Sequence, residues 1–118
     1  MQSYGLRTKL LEVERWVTDT GYRVVEVHPE VSFARLARAP LTTSKSTWAG
    51  FQRRAELLAS AGIRLTGDLG TADAAGIDDV LDAAVAAWTA RRYARGLAIC
   101  LPDPPEVFSD GLRCAIWV

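Results

Sequence analysis

The run Tyr22-Arg23-Val24-Val25-Glu26-Val27-His28 is β-branched, nearly continuously apolar and stopped by Pro29, and no other segment narrows the fold as far. Such a run is the pattern of a strand buried on both faces, because the alternation of apolar and polar residues disappears where neither face meets water. A strand of that kind needs helices against its sheet. The chain is therefore predicted to be an α/β domain with this run as its one buried central strand. Glu26 then stands out, since a carboxylate inside Val-Val-Glu-Val must be paired, hydrogen-bonded or metal-bound if the strand is central. The plain partner is one of the twelve arginines.

Helical patterning supplies the cover. Leu6, Leu10, Val13 and Val17 recur at three- and four-residue spacing with Arg7, Lys9, Glu12 and Glu14 off the stripe, which predicts an amphipathic helix ending before Gly21. A short helix is expected from about Glu30 to Ala37, followed by the loop from Ala39 to Thr47. The next helix runs from near Trp48 to Ala61, with Phe51, Ala55 and Leu58 on one side and Gly62 as its stop. Thr66 to Gly76 is small, acidic and glycine-rich, and is predicted to be a loop. Asp78 is expected to cap the longest helix, Asp79 to Arg95, whose stripe is Leu81, Ala84, Val85, Trp88 and Arg92 and whose basic end suits the helix dipole. The tail contains two short extended pieces around a Pro-rich, Ser-Asp-Gly turn, a C-terminal strand or hairpin.

At 118 residues the chain has the length of a single domain, 1–118, with one core. Its formal charge of zero excludes the strongly basic footprint of a general nucleic-acid binder. The charge is nonetheless segregated. Between Val31 and Ala55 stand Arg35, Arg38, Lys45, Arg53 and Arg54 with no acid, and between Leu65 and Ala90 stand Asp68, Asp73, Asp78, Asp79 and Asp82 with no base. Facing one cleft, the two blocks would suit phosphate and divalent metal; as solvated faces they would simply neutralise each other. Asp79 and Asp82, three apart, share one helix face and could converge on an ion, although acids also favour helix starts for dipole reasons alone.

Other chemistries find little support. His28 is the only histidine, so a multi-His metal site is excluded, and Gly67-Asp68-Leu69-Gly70 lacks the lysine and preceding strand of a phosphate loop. Cys100 and Cys114 lack zinc-site spacing and are too few for a disulfide framework, so they are expected to be reduced in a cytoplasmic protein. No apolar run reaches membrane-spanning length, and the N-terminus lacks the apolar core of a signal peptide.

At EVHPEVSF, SKSTWAG, DDVLDAAVAAWTARRYARG, LPDPPEV and GLRCAIWV, in that order, the chain resembles the family known as domain of unknown function 429, a set of predicted nucleases of ribonuclease H-like fold. A fainter similarity, by analogy, reaches Holliday-junction resolvases of the same fold superfamily through Lys45 with Gly50, and Asp79 with Asp82 and Ala83. The resemblance implies a partial ribonuclease H-like fold, corresponding to the C-terminal half of a longer domain. It implies that Glu26 begins a late strand of the sheet, that Asp79 and Asp82 supply the helix carboxylates of a two-metal site for Mg²⁺ or Mn²⁺, and that Lys45 and Arg53 approach a phosphate of nucleic acid. Glu26 is then expected near enough to join Asp79 and Asp82 as a catalytic and metal-binding carboxylate or to bridge through water. The family's N-terminal carboxylates have no counterpart before Met1, so the site is expected to be incomplete and the chain inactive alone, with metal bound weakly at most. A separately encoded N-terminal half would complete it. The alternative is a noncatalytic interaction domain that forms a homodimer through a bare sheet edge, with no membrane partner.

Overall fold

The computed structural model of the chain describes residues 2–109 and 111–118, with side chains from Leu6 onward. In chain order the elements are α1 (Gln2–Thr20), β1 (Glu26–Val27), α2 (Pro29–Ala37), α3 (Trp48–Ser60), a 3₁₀ turn (Gly70–Ala74), α4 (Ile77–Ala94), β2 (Cys100–Val107) and β3 (Arg113–Trp117). The architecture is mixed α/β: four helices with a three-stranded sheet among the described residues.

The core lies between helices. Phe33 of α2, Leu57 and Leu58 of α3, and Leu81, Val85 and Trp88 of α4 are buried against one another, and Leu41, Phe51, Ile63 and Leu65 pack around them. Spacings of three and four bring Leu81, Val85 and Trp88 to one face of α4, which is the stripe expected from the sequence. Ser32 and Thr89, both fully buried, satisfy each other through a 2.9 Å hydroxyl contact where α2 meets α4. α2 starts at Pro29, whose fixed φ suits a first helical position.

The sheet corrects the central-strand expectation. Its order is β1-β3-β2, so β1 is an edge strand, parallel to β3 with Glu26 opposite Ile116 and Val27 opposite Trp117. Only two residues of the Tyr22–His28 run pair, and Val24 and Glu26 are exposed. The physical reason is that β3 offers hydrogen-bond partners along one side of the run for only that length; an apolar run buries both faces only when neighbours and layers exist to cover it. β2 and β3 form the antiparallel C-terminal hairpin, with Cys100 opposite Trp117 and Val107 opposite Arg113. Its register shifts between Leu101 and Glu106, where β2 carries Pro102, Pro104 and Pro105. Tyr93 of α4 meets Trp117 edge-on at 4.7 Å, and Cys100, Ala115 and Val118 are buried, which ties the hairpin to the helices.

Two further boundaries differ. Asp78 does not cap α4: the N-cap is Gly76, without a side-chain cap, and the helix begins one residue before Asp78. The Thr66–Gly76 loop holds the 3₁₀ turn, built by two of the acids, since Asp68 Oδ1 accepts from the Gly70 amide at 2.8 Å and Asp73 Oδ1 from the Leu69 amide at 3.0 Å. α1 forms as the periodicity predicts, with Gly21 following at φ 64°, yet Leu6, Leu10 and Val13 of its stripe face solvent. A radius of gyration of 15.8 Å, against about 13.5 Å for a compact domain of this length, accords with a helix lying off the core.

Cys100 and Cys114 are both free thiols. Burial first, and then the charge and hydrogen bond of Asp103, push the Cys100 thiol above its ordinary range. Because the thiolate is the reacting species, iodoacetamide at about pH 8 should alkylate Cys114 at least roughly tenfold faster than Cys100. Peptide mass mapping over time checks this, and equal rates would contradict the packing of the hairpin.

Candidate functional site

Lys45 is held on the tight turn that enters α3. Thr47 is the N-cap: its Oγ1 accepts from the Gly50 amide at 3.1 Å and donates to the Ser44 carbonyl at 2.8 Å. The hydroxyls of Ser44 and Ser46 lie 2.9 Å apart. Gly50 lets this turn press onto the helix, for a Cβ there would stand 1.8 Å from the Ser44 carbonyl oxygen.

Below the turn lies Arg54, only 2% exposed. Its Nε and Nη2 donate to the two carboxylate oxygens of Glu30 at 3.1 and 2.7 Å, and its Nη1 donates to the carbonyls of Thr43 and Gly50 at 3.1 and 3.0 Å. The guanidinium also sits 5.6 Å from the centre of the Phe33 ring. One residue of the basic block thus fastens α2, the 39–47 loop and α3 together, and its partner is outside the acidic block.

Lys45 does meet the acidic block. Its Nζ donates to Asp82 Oδ2 at 2.9 Å. That hydrogen bond is the main reason the Lys45 pKa rises above 10.5; desolvation opposes it, while the charges of Asp82, Asp78 and Glu30 add to it. A raised lysine value means that the stability linked to this lysine's titration is fully present just below pH 10.5 and is lost as pH climbs through the higher folded-state value. Asp82 Oδ1 is buried and has no hydrogen-bond partner among the described residues. Asp78 and Asp79 are exposed on the first turn of α4 and fold back over Gly76, where a Cβ would lie 2.8 Å from Asp78 Oδ1 and 3.2 Å from Asp79 Oδ2. A groove of about 360 Å³ beside Lys45 is bounded by Trp48, Phe51, Ile77 and Asp78. Trp48 is 70% exposed, its ring 5.5 Å from that of Phe51.

The remaining expected site residues lie elsewhere. Glu26 lines a separate cavity with Arg23, Arg113 and Tyr93, and Tyr93 is eleven residues beyond Asp82, about 16 Å further along α4. It makes no ion pair among the described residues. Arg53 is exposed and faces another cavity, with Pro40 and Thr43. Nor do three His, Cys, Asp or Glu side chains converge to hold a metal ion anywhere among the described residues. Mg²⁺ prefers six oxygen ligands in octahedral array, so the residues present do not by themselves fit a resident ion. Sequence reasoning passed over Trp48 and the Glu30–Arg54 pair. Thr before Trp-Ala-Gly was a legible capping signal, whereas nothing local marks a partner 24 residues away.

The family model for proteins of unknown function designated DUF429 matches residues 1–107. The chain belongs to the DUF429 family. The match runs from α1 through β2 and so includes Lys45, Gly50, Asp79 and Asp82 of this DUF429 chain. No curated protein and no solved structure matches it. No helix among the described residues is long and apolar enough to cross a membrane.

Proposed function

We propose that this chain is the C-terminal part of a metal-dependent nuclease of ribonuclease H-like fold, inactive alone and completed by carboxylates from outside the described residues. The observation that carries the reading is the Lys45–Asp82 contact, which leaves one buried Asp82 oxygen without a partner among the described residues, while Lys45 itself lines a groove shared with Trp48 and Asp78. With further carboxylates supplied from outside the described residues, Asp82 and Asp79 would be the residues of this chain to hold Mg²⁺ or Mn²⁺, which would supply Lewis acidity and charge neutralisation. Lys45 holds a nonbridging phosphate oxygen as a point charge, and Asp82 aims it. Trp48 offers a ring face for an adjacent base.

In the isolated chain, Lys45 competes with any cation for Asp82. Mn²⁺ should therefore bind weakly and broaden the amide signals of Asp79 and Asp82 first. Lys45→Met should tighten that binding by about tenfold, because a like charge has been removed from the ligand. Broadening confined to Asp68 and Asp73, or an unchanged affinity in Lys45→Met, would sink the assignment. Purified chain should cleave neither single- nor double-stranded nucleic acid with either metal; cleavage abolished by Asp82→Asn would show that the site is complete after all.

A second reading, an interaction domain, is favoured by α1. Leu6, Leu10, Val13 and Val17 follow a four-three-four spacing, the seam of a paired helix. Antiparallel pairing of two copies would set Leu10 against Val13 of the second copy, and Arg7 beside Glu14 of the second copy twice over. A concentration-dependent dimer at micromolar concentration, dissolved by Leu10→Glu in light scattering, is the expected result. A wild-type monomer removes this reading.

A further inference from the structure

A groove of about 640 Å³ lies beside the C-terminal parts of α2 and α4, with Trp88 and Pro40 in its wall and Arg35, Arg38 and Arg92 around it. No carboxylate lines it. The adjoining cavity, about 300 Å³, shares Ala39 and Pro40 with it and adds Arg53, also without an acid. None of these four arginines makes an ion pair among the described residues.

Helix dipoles account for part of this arrangement, since cations in a last turn are favourable. They do not account for two details. Arg92 is fixed over Trp88, its guanidinium carbon 4.9 Å from the ring centre, and donates from Nη2 to the Leu97 carbonyl at 2.6 Å, yet its Nε is buried without an acceptor among the described residues. A buried charged donor left unfilled is unfavourable unless something fills it. Arg38, the C-cap of α2, holds φ 58°, the one positive φ outside glycine among the described residues. Glycine is the ordinary occupant of such a position, and strain kept under a charged side chain that lines a groove points to a use for that charge.

We propose that this groove binds two or more adjacent phosphates, either those of a nucleoside polyphosphate or consecutive ones of a nucleic-acid strand. Three or four guanidinium groups would be poorly balanced by a single carboxylate but suit a run of phosphates, which the exposed Arg35, Arg38 and Arg53 can grip in bidentate fashion while Arg92, held by Trp88 and Leu97, adds its fixed charge. Arg92 lies ten residues beyond Asp82, about 15 Å along α4, and the groove contains no metal-ligand set, so the inference stands apart from the Lys45–Asp82 site.

The full chain, labelled with ¹⁵N and kept in EDTA at low salt, is titrated with ATP and separately with a short oligothymidylate. The Arg92 Nε–H signal and the backbone amides of Arg35 and Arg38 should shift together and saturate, and the ligand that saturates them at lower concentration identifies the source of the phosphates. Arg38→Gly should weaken binding by about tenfold, the loss of one charged contact, while its melting temperature stays level or rises as the strain is relieved. Arg35→Gln, an exposed position, should weaken binding without altering the fold. Shifts that avoid all three arginines, or affinity unchanged in both variants, would overturn the proposal.

Discussion

Replacing Arg54 with methionine is expected to lower the unfolding free energy by about 3 kcal/mol, the upper range for losing charge-assisted hydrogen bonds, since the guanidinium is buried while its Glu30 partner is 38% exposed. The side chain is 2% exposed and its donors meet Glu30 twice, Thr43 and Gly50. Methionine fills much of the same space beside Phe33, so the loss is chiefly polar. The Thr43 carbonyl and a half-exposed carboxylate lose their donors, and the Gly50 carbonyl loses its side-chain one. Lysine should rescue little, since an ammonium cannot reproduce a planar fork that bonds in three directions. Urea unfolding measures the loss as a lower midpoint at constant slope. A change below about 1 kcal/mol, the range of a surface pair, would mean that Arg54 is solvated in solution.

Gly50→Ala is the second large effect, expected at about 3 kcal/mol or somewhat more, the upper range of overpacking. A methyl group there would meet backbone, with the Ser44 carbonyl oxygen at 1.8 Å and its carbon at 2.6 Å, and no rotamer change relieves such a clash. The turn must lift off α3, taking with it the Thr47 cap and the placement of Lys45 against Asp82. Stability and the Lys45 contact should therefore fail together. Gly67→Ala is the control, since its Cβ would have nothing within 4 Å, and it should change stability by less than about 0.5 kcal/mol. If both variants unfold alike, the turn is looser than its geometry indicates.

Much of the secondary structure was legible because it rests on short-range periodicity and stops. The stripe of α4 and the glycine after α1 are each decided within a few residues. What escaped was decided at a distance. The Tyr22–His28 run has the composition of a buried strand, but burial depends on how many neighbours the fold supplies, and β3 pairs with only Glu26 and Val27. Arg54 is indistinguishable by sequence from Arg53 beside it; the helical rotation of α3 turns one toward Glu30 and the other toward solvent. Asp78 has the chemistry of a cap and lost the position to Gly76, over which its own carboxylate folds. Of the residues named for the site, Lys45 and Asp82 are in contact, whereas Glu26 and Arg53 line separate cavities. Spacing along one helix could suggest that Asp79 and Asp82 share a face, but which loop would reach that face is a tertiary property.

The two margins of the sheet differ in a way that bears on polymerisation. β2, on the outside, carries Pro102, Pro104 and Pro105 within eight residues, and proline has no N–H to offer an incoming strand. β1, at the opposite margin, presents a template only two residues long. Backbone recruitment can therefore advance from one side and is capped on the other. An association through this sheet ends at a closed pair; the repeated head-to-tail addition that grows fibres has no second site from which to continue.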